Sequence, residues 1–197
     1  ADFGLFSYAQ SFVVIFTSIS MMGLNSLVVK EIVNNPNKID SILGTSFIMK
    51  LAASLIVLVL IFLSINFTDN DSDTKMLIYI ISFGLFFQNF NVIEFYFQSK
   101  ILSKYIAYTN VISLAISSII KILFIINNAT LIYFAWLTVF DIVILSSGYL
   151  YFYYIQKLSI YQWSWDTKIS LQFLREGWPL ILSGMSFVIY NNVDKIM

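Results

Sequence analysis

The chain of 197 residues has no cysteine and no histidine. Without cysteine it forms no disulfide, offers no thiolate to a metal and has no thiol nucleophile. Without histidine it lacks the commonest general base and metal ligand. Charge is also scarce. Lys+Arg and Asp+Glu stand at 11 each, so charged residues make up 11% of the chain, where soluble domains carry about 25%. The net charge of zero gives no electrostatic basis for binding nucleic acid. Proline occurs twice and glycine seven times, leaving few positions that interrupt a long helix. No metal site, cofactor site or catalytic constellation is expected, and the chain reads as a non-enzyme.

What is abundant is apolar. Hydrophobic residues make up 59% of the sequence, including 19 Phe and 12 Tyr, and the mean hydropathy is +0.83. Too few polar side chains remain to cover a soluble surface, so the chain reads as an integral membrane protein. A spanning helix needs about 20 mostly apolar residues. Six runs meet that length, at roughly 5–29, 42–65, 76–97, 105–126, 130–154 and 178–197. They are continuous rather than alternating, which excludes an outer-membrane barrel and predicts an all-α, polytopic transmembrane bundle. Pro36 falls in a loop, and Pro179 falls at the start of the last run, where a missing N–H costs nothing. The opening Ala1-Asp2-Phe3-Gly4 lacks Met and a basic leader, and the chain stops inside an apolar run, so it reads as a fragment.

Basic residues set the expected orientation. Lys30, Lys38, Lys100, Lys104, Lys157, Lys168 and Arg175 fall in one set of connections, and Lys75 alone falls in the other, beside Asp69, Asp71 and Asp73. The basic set is expected to face the cytoplasm. The longest connection, 155–177, carries Tyr161, Trp163 and Trp165. Its second half, from Asp166 to Glu176, reads as a short interfacial helix laying Ile169, Leu171, Phe173 and Leu174 against lipid.

Polar residues inside the runs mark functional faces, because a charge at the centre of a spanning helix costs about 2.5–3.5 kcal/mol. Ser46, Lys50 and Ser54 recur at four-residue spacing in the second run, and Ser113, Ser117 and Lys121 repeat that spacing in the fourth. The third carries Gly84, Gln88, Asn91, Glu94 and Gln98 within a third of a helix circumference. The fifth places Asp141 near its centre, with no Lys or Arg within a turn, so its partner must come from another helix. The last aligns Ser183, Ser186, Tyr190 and Asp194. Packed with these stripes inward, the helices would line a hydrophilic lumen, and lysines there suit an anionic cargo. Lys50, Lys121, Gln88, Asn91 and Ser117 are the cargo-binding candidates, and Asp141, Glu94 and Asp194 the ion-coupling candidates.

Several segments resemble the bacterial polysaccharide biosynthesis (O-antigen flippase) family of the multidrug/oligosaccharidyl-lipid/polysaccharide exporter superfamily. They are Asp2-Phe3-Gly4-Leu5-Phe6-Ser7-Tyr8-Ala9, Gly23-Leu24 with Lys30-Glu31-Ile32, and Phe95-Tyr96-Phe97-Gln98-Ser99-Lys100 with Lys104-Tyr105-Ile106-Ala107. Lys121-Ile122-Leu123, Glu176-Gly177-Trp178-Pro179-Leu180 and Val193-Asp194-Lys195-Ile196-Met197 complete them. The resemblance implies two six-helix lobes around a cationic cavity. Residues 1–177 would be helices of the first lobe with its cytoplasmic connector, and 178–197 the start of the second. It implies an inner-membrane protein that flips undecaprenyl-pyrophosphate-linked oligosaccharide for O-antigen or capsule synthesis, driven by an ion gradient. Lys50 and Lys121 would then meet the pyrophosphate or acidic sugars. Partners would be that lipid-linked cargo, membrane lipid and other polysaccharide-assembly proteins. This chain departs in having one arginine, Arg175, in a connection. A drug/cation antiporter of the same superfamily would instead need a cavity led by Asp141 and Glu94. A polymerase or glycosyltransferase of the same pathway would need a large extramembrane loop.

Overall fold

The computed structural model describes residues 2–20, 23–67 and 71–196, with side chains at 2–3, 18–19, 181, 183–185, 187–189 and 191–196 left aside. It is an all-α bundle, with no strand among the described residues. The helices are α1 (Asp2–Ser20), α2 (Leu24–Asn34), α3 (Ile39–Asn66), α4 (Ser72–Phe83), α5 (Leu85–Gln88), α6 (Val92–Ser99), α7 (Ser103–Ile126), α8 (Leu131–Ile155) and α9 (Thr167–Ile196). Among the described residues, four stretches are long and apolar enough to cross a bilayer: Pro36–Asn66, Ser72–Ser99, Ser103–Ile126 and Leu131–Ile155. They match the second to fifth expected runs to within a few residues.

The first run departs from expectation. It is broken at Gly23, whose φ of 59° is left-handed, so α2 starts afresh beyond it. Only Gly has no Cβ penalty there, and one glycine suffices to divide an otherwise helical sequence. α1 packs on α9, α4 and α3, while α2 packs on α6, α3 and α9.

The third span is also not a single α-helix. Gly84 separates α4 from α5, and a 3₁₀ turn over Asn89–Asn91 separates α5 from α6. In hydrocarbon every freed backbone carbonyl needs a donor. Here Ser146 Oγ donates to the Phe87 carbonyl at 2.7 Å, and Asn89 Nδ2 donates to the Phe86 carbonyl at 3.2 Å. The break therefore comes with its own caps.

The connector and last helix correct two further expectations. Asp166 Oδ1 accepts from the backbone N–H groups of Lys168 and Ile169 at 2.8 and 3.4 Å, which starts α9. From there the helix continues through Pro179, so that residue lies inside a helix rather than at its start; its ring leaves the carbonyl four residues earlier without an N–H partner. Ile169 and Phe173, four residues apart on one face, are buried in the core, whereas Leu171 and Leu174 point outward. The preceding residues are strapped onto α3. Ser164 N–H donates to the Asp40 carbonyl at 3.3 Å, and Asp166 N–H donates to Thr45 Oγ1 at 2.9 Å. Trp163 Nε1 reaches the Tyr153 hydroxyl at 3.1 Å. Gly44 permits this approach, since a Cβ there would lie 2.5 Å from the Ser164 carbonyl oxygen.

The core has two apolar halves. One joins α2, the first turns of α3, α6, the end of α8 and the start of α9. The other joins α1, the end of α3, α4 and the first half of α8. Between them lies a polar layer.

Candidate functional site

On α3, the two apolar clusters leave a gap between Met49 and Val57, in which Lys50, Ala53 and Ser54 are buried. The equivalent gap in the third span holds Asn89, and in α8 it holds Asp141 and Ser146. Ser46, Lys50 and Ser54 are all buried, so the four-residue stripe faces inward as its spacing implied. Asn89 Nδ2 donates to Ser54 Oγ at 3.1 Å, tying the 3₁₀ turn to α3. The Lys50 ammonium lies 5.2 Å above the centre of the Phe95 ring. A desolvated cation on a ring face gains about 2 kcal/mol. The opposite charge that acts on Lys50 is Glu94. Glu94 also faces the Tyr149 hydroxyl and accepts from Gln98 Nε2 at 3.0 Å.

α7 is built differently from the other spans. Its buried residues are Thr109, Ser113 and Ser117, all hydroxyl-bearing, while its exposed residues are mostly apolar, with Asn110, Ser118 and Lys121 beside the buried stripe. Without a hydrophobic drive between helices in lipid, small and polar residues make the seam. α7 packs along α8 through this stripe, with Thr109 against Gly148. One turn further along, Lys121 Nζ lies 3.6 Å from Asp141 Oδ2, and Ser117 Oγ donates to Asp141 Oδ1. This is the partner from another helix that the isolated Asp141 required. Together with Asn110, Ser113 and Ser118 these groups line a cleft of about 320 Å³. The seam's other side carries an apolar groove of about 500 Å³ walled by Phe83, Phe124, Trp136 and Phe140.

The expected site residues therefore divide. Lys121, Ser117 and Asp141 meet in the cleft. Lys50 belongs to the buried layer, with half-buried Glu94 near it, and neither is in the cleft wall. Gln88 and Asn91 are half-buried, and neither lines the cleft. The 3₁₀ turn shifts the register there, so Asn89 is the residue turned inward. The Asp194 side chain lies outside the described residues. Asn110 and Tyr149 join the two clusters, the Tyr149 hydroxyl donating to Asn110 Oδ1 at 3.4 Å. Asn110 continues the stripe of Ser113 and Ser117 one turn earlier, so its spacing was a usable signal. Tyr149 sits in a Tyr-rich helix end and carried none.

An all-α membrane bundle with paired and buried charges at span depth is the class of protein these features define. Ionisable residues in that setting mark pathways for polar cargo or ions. The chain belongs to the polysaccharide biosynthesis protein family, whose model matches residues 1–197. No curated protein and no solved structure matches the chain. It is thus a membrane protein of polysaccharide biosynthesis or export.

Proposed function

We propose that the protein moves lipid-linked oligosaccharide repeat units across the bacterial inner membrane, for surface polysaccharides such as O-antigen or capsule. The observation that carries this reading is a lysine in the polar cleft of a polysaccharide-family membrane chain, Lys121 on the α7–α8 seam. A half-exposed ammonium in such a cleft is a charge-assisted donor for the diphosphate that joins lipid to sugar. Lys50 supplies a second cation in the layer behind it. Asp141 is matched by Lys121, which disfavours the cation-antiporter alternative, since a cationic cargo would meet a carboxylate already neutralised. Asp141 and Glu94 are the ion-coupling groups, and the basic connections face the cytoplasm.

Deleting the gene in its source bacterium and extracting the lipids tests the reading. The expected result is accumulation of complete lipid-linked units facing the cytoplasm, with loss of the surface glycan. Normal surface glycan would sink it. Single unpolymerised units reaching the surface would point to a polymerase instead.

A further inference from the structure

We propose that the basic end of the α7–α8 hairpin binds one anionic glycerophospholipid, with its phosphate on Lys100, Lys104 and Lys157 and an acyl chain in the furrow beside them. The site goes beyond the cargo reading and shares no lining residue with the cleft of Lys121 and Asp141. The antiparallel packing of the two helices brings the lysines to one end. Tyr105 packs on Phe152 with ring centres 5.1 Å apart, which sets Lys104 beside the last turn of α8. Lys100 and Lys157 each lie five residues beyond that contact and outside the spans. All three lysines are exposed. The ion pairs of the described residues are Lys30 with Glu176 and Lys121 with Asp141, so none of the three has a carboxylate partner among the described residues. Lys104 Nζ rests over the Tyr105 ring, 4.9 Å from its centre, a contact that leaves its N–H groups free for an anion. Lys157 stands one residue past the α8 C-cap with φ of 61°, where glycine is the unstrained choice. The strain brings a charge that glycine would not.

The furrow runs from this end into the spans. Thr109 and Ile112 of α7 face Ile144, Ser147, Tyr151 and Phe152 of α8 across about 290 Å³. Rows of four-residue spacing connect it to the lysines: Lys104, Tyr108 and Ile112 on α7, and Ser147, Tyr151 and Ile155 on α8. Tyr108 and Tyr151, 56% and 62% exposed, stand between the lysines and the apolar walls. That is the level at which tyrosines meet headgroups. The order along the hairpin is therefore cation, tyrosine, apolar furrow, which matches the phosphate, glycerol and acyl chain of a lipid. This order selects the occupant. A soluble phosphate makes no use of the furrow, and the furrow lies within both spans, at hydrocarbon depth. Basic sites beside spanning helices hold anionic headgroups by such a charge match. A lipid seated here also clamps the two helices where Thr109 meets Gly148.

The test uses the intact purified protein in a neutral detergent, with bound lipid counted by native mass spectrometry. Dioleoylphosphatidylglycerol is the anionic probe, dioleoylphosphatidylcholine its zwitterionic match with the same chains, and glycerophosphate the headgroup without chains. The expected result is one phosphatidylglycerol bound about tenfold more tightly than phosphatidylcholine, a preference that shrinks as salt is raised. Replacing Lys100, Lys104 and Lys157 together by Gln should bring phosphatidylglycerol down to the level of phosphatidylcholine. Ser147→Phe, which fills the furrow, should weaken both lipids. Glycerophosphate should not bind at these concentrations. Equal affinity for the two lipids overturns the site, as does a preference that survives loss of the three lysines. Unchanged lipid binding by Ser147→Phe overturns it as well, because the chain then lies elsewhere. Glycerophosphate bound as tightly as phosphatidylglycerol would make this a site for free phosphate, and oligoglutamate bound as tightly would make it a protein-docking face. Either result overturns the lipid assignment. Should a variant not accumulate, the wild-type comparison of the two lipids still decides.

Discussion

At Lys50 an ammonium is held at span depth against the Phe95 ring, on the helix face it shares with Ser46 and Ser54. A lysine at a helix centre costs about 2.5–3.5 kcal/mol on insertion, and a cation–π contact returns only about 2 kcal/mol of it. Stability alone therefore does not account for the residue. Lys50→Met keeps the length of the side chain without its charge. The variant should be at least as stable to heat as the wild type, while export of lipid-linked units falls at least tenfold. Wild-type export by that variant would reduce Lys50 to a packing residue. Ile101 presents the opposite case, a cost with no apparent return. It turns the chain from α6 into α7 with φ of 58°, and its side chain is 88% exposed. A β-branched residue is strained in that left-handed conformation, and Asn tolerates it far better. Ile101→Asn should raise stability by about 1 kcal/mol, seen as a Tm a few degrees higher, with transport unchanged.

At the scale of elements, what the sequence made legible was hydrophobic length. Four apolar runs became the four spans, because about 20 apolar residues in a bilayer have little alternative to a helix. The interruptions were less legible. Gly23 and Gly84 look alike in sequence, yet Gly23 adopts a left-handed turn and Gly84 remains right-handed, with φ of −58°. The 3₁₀ turn was hidden because one of its two capping donors is Ser146, 59 residues from Phe87. Ser146→Ala should leave the Phe87 carbonyl with the Asn89 N–H as its donor and cost about 1 kcal/mol, measured by denaturant or heat, with Ser146→Thr recovering most of it. The connector makes a parallel case. Gly44→Val would drive its side chain into the Ser164 backbone, so the strap should lift and tryptic cleavage at the exposed Lys157 should accelerate several-fold. An unchanged cleavage rate would mean that the strap is held without Gly44.

For the whole molecule, the polar stripes predicted a wet interior, and four-residue spacing marked the inward face on α3 and α7 but not on α9, where Ser186 and Tyr190 are exposed. Ser46, Lys50 and Ser54 turn inward together, and Ser113, Ser117 and Lys121 follow one seam. They failed where the helix did, at Gln88 and Asn91. They also could not show that Lys50 and Lys121 lie in separate clusters, since spacing gives a face but not the helix it meets. Charge asymmetry between connections is the remaining global signal. The structure brings basic connections together at one end, where Lys30 pairs with Glu176 at 3.7 Å and Gln172 donates to Glu31 and Glu176. Lysines held outside the bilayer on one side are retained there because moving them across it is costly, which is the physical origin of the expected orientation. The absence of native cysteine from this stretch makes the orientation directly measurable. Cysteines placed at Asn37, Ser103 and Gln162, all exposed at the basic end, should resist a membrane-impermeant maleimide added to whole cells and react after permeabilisation. Cysteines at Ser72 and Asn127, exposed at the other end, should react at once. Labelling of position 162 in intact cells would invert the topology, and the cargo would then have to enter from the opposite face.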